Sequence, residues 1–151
     1  MKMEIVVVIG AGGIGMAIAR RQGFGRHILL ADFNEKLLEA AAKELEIASY
    51  KVSSRKVDVS SRGSVRALAD EAAALGSVIQ VINTAGVSPN MAAPDRVLAV
   101  DLYGSAVVFE EFERVIAPGG AGLIVSSMAG HMSSALRQSK SMTWRSHRQT
   151  N

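Results

Sequence analysis

The chain has no cysteine among its 151 residues. That excludes a disulfide framework, a cysteine-ligated zinc or iron–sulfur centre and a thiol nucleophile. It also suits a reducing compartment, so a cytoplasmic location is expected. Long apolar runs are missing too. The best stretch, Ile5 to Ala19, is 15 residues long and holds four glycines. It is too short to span a bilayer, and its glycines stand at turn spacing behind Glu4, which argues against a signal peptide. Acids are absent from the last 18 residues, which carry Arg137, Lys140, Arg145 and Arg148. Residues 1–133 hold 13 Lys and Arg against 14 Asp and Glu, a net charge of −1, so the overall +3 belongs to the tail. The body has no basic stripe, and neither nucleic acid nor membrane is expected as a partner.

What remains is an ordinary globular composition, with 48% apolar and 21% charged residues, enough for a core and too apolar for global disorder. The length suits one domain. Apolar runs alternate with helical patterns. Strands are expected at 4–9 (EIVVVI), 27–32, 52–59, 77–86 and 121–127. Helices are expected at about 14–23, at 35–47 behind Asn34, from Ser60 or Ser61 to about Leu75, and from about Asp95 to Ala117, stopped by Pro118-Gly119-Gly120. Strict βα alternation gives a doubly wound α/β fold: a five-stranded parallel sheet, order 3-2-1-4-5, with helices on both faces. Ligands of such sheets bind beyond the carboxyl ends of the strands, where the order reverses, here at the first and fourth strands. Residues 133–151 break the pattern and are expected to form a basic, poorly patterned tail.

Gly10-Ala11-Gly12-Gly13-Ile14-Gly15 fits G-x-G-x-x-G between a strand and a helix. Gly10 permits the tight turn, Gly12 lets a pyrophosphate approach the backbone, and Gly15 lets the helix lie close on the strand. Free N–H groups and the helix dipole can then hold phosphates. Asp32 ends the second strand, 17 residues after Gly15. An acid there can accept both ribose hydroxyls and repels a 2′-phosphate, which favours NAD over NADP. The plainer role for Asp32 is a helix cap. Asp58-Val59-Ser60 ends the third strand, where an acid can meet an adenine amino group. Asn83-Thr84-Ala85-Gly86 ends the fourth, with small residues that leave room for a flat cofactor. Ser126 and Ser127 end the fifth, where a hydroxyl can hold a substrate carbonyl or bond the local backbone. His27, His131 and His147 share no metal-ligand spacing, and no metal is expected.

Residues 9–20 (IGAGGIGMAIAR), Asp32, 58–60 (DVS), 83–86 (NTAG), 100–104 (VDLYG) and 126–130 (SSMAG) together resemble the short-chain dehydrogenase/reductase family, over residues 4 to about 132. The resemblance implies a Rossmann-type NAD(P)-binding domain over 1–132. It also implies hydride transfer between NAD(H) and a small-molecule alcohol or carbonyl. Gly10, Gly12, Gly13, Ile14, Gly15, Asp32, Asp58, Val59, Asn83, Ala85 and Gly86 would form the cofactor site, and Ser127 would be the catalytic, substrate-orienting serine.

The chain departs from the family at several points. Its glycine loop is one residue shorter than usual, Thr84 stands where asparagine is commonest, and Asp101 stands where many members have an asparagine of the proton relay. The family's Tyr-x-x-x-Lys after the serine is absent, because Tyr50 and Tyr103 both precede Ser127 and the only later lysine is Lys140. Loss of such a general acid costs about 10²–10⁴ in rate. The expectation is therefore an incomplete, weakly active or inactive form, read from a truncated or frameshifted gene. A nucleotide-sensing NAD-binding regulatory module is the alternative, and a methyltransferase a third reading. The apolar residues of the long fourth helix exceed what one sheet face needs, so a homo-oligomer or an aggregation-prone protein is expected.

Overall fold

The computed structural model describes residues 2–128. Five strands form one parallel sheet in the order β3-β2-β1-β4-β5. They are β1 Glu4–Ile9, β2 His27–Asp32, β3 Lys51–Lys56, β4 Ser77–Asn83 and β5 Ile116–Ile124. The helices α1 Gly13–Gln22, α2 Glu35–Ile47 and α3 Arg62–Leu75 follow the first three strands. Between β4 and β5 runs one helical rod: α4 Pro94–Val97, a π-helical turn Leu98–Gly104, and α5 Ser105–Glu113. The doubly wound α/β architecture expected from the sequence is the one observed.

The period of two along β1 sends its side chains to opposite faces. Ile5, Val7 and Ile9 pack with Val65, Leu68 and Ala72 of α3 and Val107, Val108 and Phe112 of α5. Val6 and Val8 pack with Met16 and Ala19 of α1 and Leu38, Ala41 and Leu45 of α2. Each of these side chains is nearly or fully removed from water. Burying a Val, Leu or Ile contributes about 1.5–3 kcal/mol, so both faces of β1 contribute to the cohesion of the fold. His27 opens β2 in a structural role. It is 7% exposed and its Nε2 lies 2.8 Å from Ser53 Oγ. Burial and then the nearby Lys51 hold its pKa below the ordinary histidine value.

Four elements depart from the sequence reading, among them the fourth strand, expected at 77–86, which ends at Asn83. The long helix was expected from Asp95 to Ala117, but α5 ends at Glu113, and the rod is interrupted by the π turn. The fifth strand was expected at 121–127 and instead spans Ile116–Ile124. The cause is Pro118-Gly119-Gly120. Beside β4, Val78 pairs with Ile116 and Gln80 with Ala121, so the Pro-Gly-Gly segment is a bulge inside β5 rather than a helix stop ahead of it. Gly119 takes φ +80° there, and proline's missing N–H costs nothing in a bulge. β3 also stops early, at Lys56. Val57 N donates to Asp32 O at 2.9 Å, and the chain then turns through Asp58. The expected tail, and with it His131 and His147, lies outside the described residues.

Candidate functional site

Parallel strands bring their carboxyl ends to one edge of the sheet, so the loops after β1, β2, β3 and β4 meet there. At the end of β1, Gly10 N donates to Ala31 O (2.7 Å) and Thr84 N donates to Ile9 O (2.7 Å), which ties the turn to both neighbouring strands. Gly10 then turns with φ +103°. The side chain of Thr84 closes the floor under this turn, with Oγ1 donating to Ile9 O at 3.0 Å and lying 3.3 Å from Gly10 O.

Helix α1 starts directly at the turn. Its N-cap, Gly12, offers no side-chain hydrogen bond, and its first turn holds no acid. A Cβ built on Gly12 or Gly13 would meet nothing within 4 Å. The fold itself therefore does not require glycine at these two positions. The open space beside them is a cradle for a group that approaches the backbone closely. Ile14 lies beside it and is 59% exposed. Uncapped N–H groups at a helix start attract phosphate.

Asp32 faces this loop from the end of β2. Its Oδ2 accepts from Ala11 N and its Oδ1 from Asn34 N, each at 2.7 Å. The cap of α2 is Asn34, whose side chain accepts from Leu37 N, so Asp32 is not spent on capping. A carboxylate offers about four acceptor positions, and two remain for a diol. Three cations of the surrounding loops and helices are already matched. Lys56 Nζ lies 2.9 Å from Glu35 Oε2, Arg96 Nη2 lies 3.4 Å from Asp58 Oδ1, and Arg20 pairs with Glu44.

Between these loops is a cavity of about 180 Å³. Its apolar wall includes Ile9, Val57, Val59, Ala85 and Val100, and its polar rim includes Asp32, Asp58 and Arg96. Gly86 also lines it. Partial burial pushes the Asp58 carboxyl up, but the Ser60 hydroxyl and amide and the Arg96 guanidinium outweigh this and hold it below its ordinary value. The cavity therefore joins an apolar slot to an ionised acceptor, next to the Asp32 carboxylate and the open start of α1. The residues fit a dinucleotide with an adenosine end.

The remaining expected residues take different places. Asn83 is fully buried, and its Oδ1 accepts from Ala85 N at 3.1 Å, so it shapes the loop from beneath. Ser127 is exposed, three residues past β5, on a segment that leaves the sheet beside Asn83, where Val125 N donates to Asn83 O. Asp101 Oδ1 accepts from Val87 N at 2.9 Å and so braces the same loop from the π turn. Arg96 and Phe33 were not singled out from sequence. No spacing marks Arg96, and Phe33 is marked only by its place directly after Asp32. Among the described residues, no group of three or more His, Asp or Glu side chains could hold a metal ion. Among them, too, no helix is long and apolar enough to cross a membrane.

The family model for short chain dehydrogenases matches residues 4–139. The chain belongs to the short-chain dehydrogenase/reductase family. This member is 40% identical over 131 residues to a short-chain dehydrogenase/reductase of Alternaria brassicicola, covering 87% of this chain and 48% of that protein. It is 33% identical to momilactone A synthase of rice, covering 89% and 55%. Among solved structures, a family member from Burkholderia phymatum in complex with NAD superposes with a TM-score of 0.78 at 28% identity, covering 87% of this chain and 51% of the other. A metagenomic short-chain oxidoreductase in complex with NADP superposes with a TM-score of 0.75 at 29% identity, covering 88% and 65%. This short-chain dehydrogenase chain thus spans about half the length of the curated relatives it matches.

Proposed function

We propose that the chain is the dinucleotide-binding part of an oxidoreductase that uses NAD(H) on a small alcohol or carbonyl substrate. The observation that carries this is the uncapped, acid-free start of α1 at the open glycine turn, with Asp32 held beside it by Ala11 N. The α1 amides and Gly12 would receive the pyrophosphate, Asp32 the adenosine ribose, and the cavity at Asp58 the adenine. When bound, the nicotinamide supplies a hydride donor or acceptor. Ser127 would orient the substrate oxygen. These residues include no tyrosine after Ser127 to move the proton, so turnover by these 151 residues alone is expected to be weak.

Preference for NAD(H) rests on charge. Lys56 and Arg96 are each paired with an acid, which leaves the Asp32 carboxylate facing any 2′-phosphate. Calorimetric titration with NADH, NADPH and S-adenosylmethionine tests the reading. NADH is expected to bind most tightly, and Asp32→Ala to weaken NADH by about ten-fold or more while narrowing its margin over NADPH. Tight S-adenosylmethionine binding without nicotinamide binding would overturn the assignment. An unchanged NADH-to-NADPH ratio in Asp32→Ala would remove that residue's role.

A further inference from the structure

We propose that Arg96 is a positioning residue that makes the cavity selective for a purine carrying a 6-amino group. The inference rests on the dinucleotide reading above and goes beyond it, by naming what sets the acceptor that reads the base. Asp58 lines the cavity, and three donors converge on its Oδ1: Ser60 N at 3.0 Å, Ser60 Oγ at 2.6 Å and Arg96 Nη2 at 3.4 Å. Among the described residues, no hydrogen bond reaches Oδ2. The carboxylate is thus pinned by one oxygen and leaves the other to a ligand.

Arg96 also sets the direction of the Ser60 hydroxyl. A guanidinium only donates. Its Nη1 lies 2.6 Å from Ser60 Oγ, so that oxygen accepts from Arg96 and its own hydrogen is turned toward Asp58. The guanidinium is steadied in turn by the Phe33 ring, whose centroid is 5.6 Å from Cζ. An arginine on α4 thereby locks a carboxylate at the end of β3. An ionised carboxylate is an acceptor only. It matches an exocyclic amino group and repels an exocyclic carbonyl, so the lock selects adenine over a 6-oxo purine.

The test compares NADH with nicotinamide hypoxanthine dinucleotide (reduced), in which a carbonyl replaces the 6-amino group. Both are titrated by fluorescence into the 151-residue chain, Arg96→Ala and Arg96→Lys. The unsubstituted chain is expected to favour NADH by about ten-fold or more, the size of one hydrogen bond to a charged acceptor. In Arg96→Ala the ratio should fall to within about three-fold, because the freed carboxylate can turn or take up water. A merely structural roof would weaken both ligands equally and leave the ratio alone. Arg96→Lys should restore part of it. The melting temperature should change little, since a half-exposed ion pair adds little stability. If Arg96→Ala does not fold, Ser60→Ala, which cuts the relay, should lower the ratio in the same direction. A wild-type ratio in either variant overturns the proposal, as does an unsubstituted chain that does not discriminate. Binding of neither ligand would instead overturn the dinucleotide reading itself.

Discussion

A Cβ at Gly15 would stand 1.8 Å from Gly10 O, and one at Gly10 would stand 2.3 Å from Thr84 Oγ1. A Cβ at Gly12 would meet nothing within 4 Å, and the backbone there (φ −74°, ψ −176°) suits any residue. The G-x-G-x-x-G spacing therefore mixes glycines that the fold requires with one, Gly12, that it does not. Gly15→Ala should overpack the strand–helix contact, cost about 3 kcal/mol and lower the melting temperature by roughly 10 °C. Gly12→Ala should leave the melting temperature unchanged or slightly raised, since it restricts the unfolded chain, yet weaken NADH by about ten-fold or more. Thermal melts paired with NADH titration separate the two. A Gly12→Ala protein that melts early, or that binds NADH normally, would reverse this division. The tasks of Gly10 and Gly15 were legible in the sequence because each depends on the local strand–turn–helix geometry. The role of Thr84 was not. Its hydroxyl acts on Ile9 and Gly10, some 75 positions away, and only the strand order brings them together.

At the level of whole elements, α1 and α2 were legible to within a residue or two, because caps and periodicity are local signals. The ends of the rod and of β5 were not, since Pro118-Gly119-Gly120 reads equally as a helix stop or a strand bulge until pairing with β4 decides it. The same limit hid the clamp between α3 and α5. Glu111 is buried, and its carboxylate is gripped by Arg66 Nε (2.9 Å), Arg62 Nη1 (2.9 Å) and Arg114 Nε (3.4 Å). The hydrogen bonds from Arg66 and then Arg62 hold its pKa at about 2, below the ordinary 4.5. A carboxyl depressed on folding stabilises fully above its unfolded pKa, and that contribution fades as pH falls toward the folded value. Glu111→Gln should therefore be less stable than the parent at neutral pH. The gap should persist down to about pH 4.5 and close as pH falls toward 2. Urea melts of both proteins at stepped pH measure that gap, and one that does not vary with pH would show that packing, not charge, is what the substitution removes.

For the molecule as a whole, the apolar residues of the rod divide between two sides. Val100, Val107, Val108 and Phe112 are in the core, whereas Leu98 (58% exposed), Leu102 (67%), Tyr103 and Phe109 are open to solvent. Leu98, Leu102 and Phe109 fall near helical spacing on one side, and contiguous exposed apolar surface of this kind marks a contact. The sheet edges differ in the same sense. The outer strand β3 reads KVSSRK, whose lysines and arginine discourage pairing with another chain. The other outer strand, β5, has no charge at all, and its Leu123 is 51% exposed. Its early bulge blunts only its first half, so the second half can still accept a strand. Self-association is therefore expected, through the rod, through β5, or through both. Multi-angle light scattering of the 151-residue chain should give a mass above 16.0 kDa that rises with concentration. The double substitution Leu98→Lys/Leu102→Lys should lower that mass at each concentration. Its effect on the melt should be small, within about 0.5 kcal/mol, because both side chains are already solvated. Leu123→Lys tests the edge in the same way. If the rod variant dissociates the assembly and the edge variant does not, the contact is helical and the sheet stays open in solution. A parent protein that scatters as a 16.0 kDa monomer at every concentration would refute self-association through either surface.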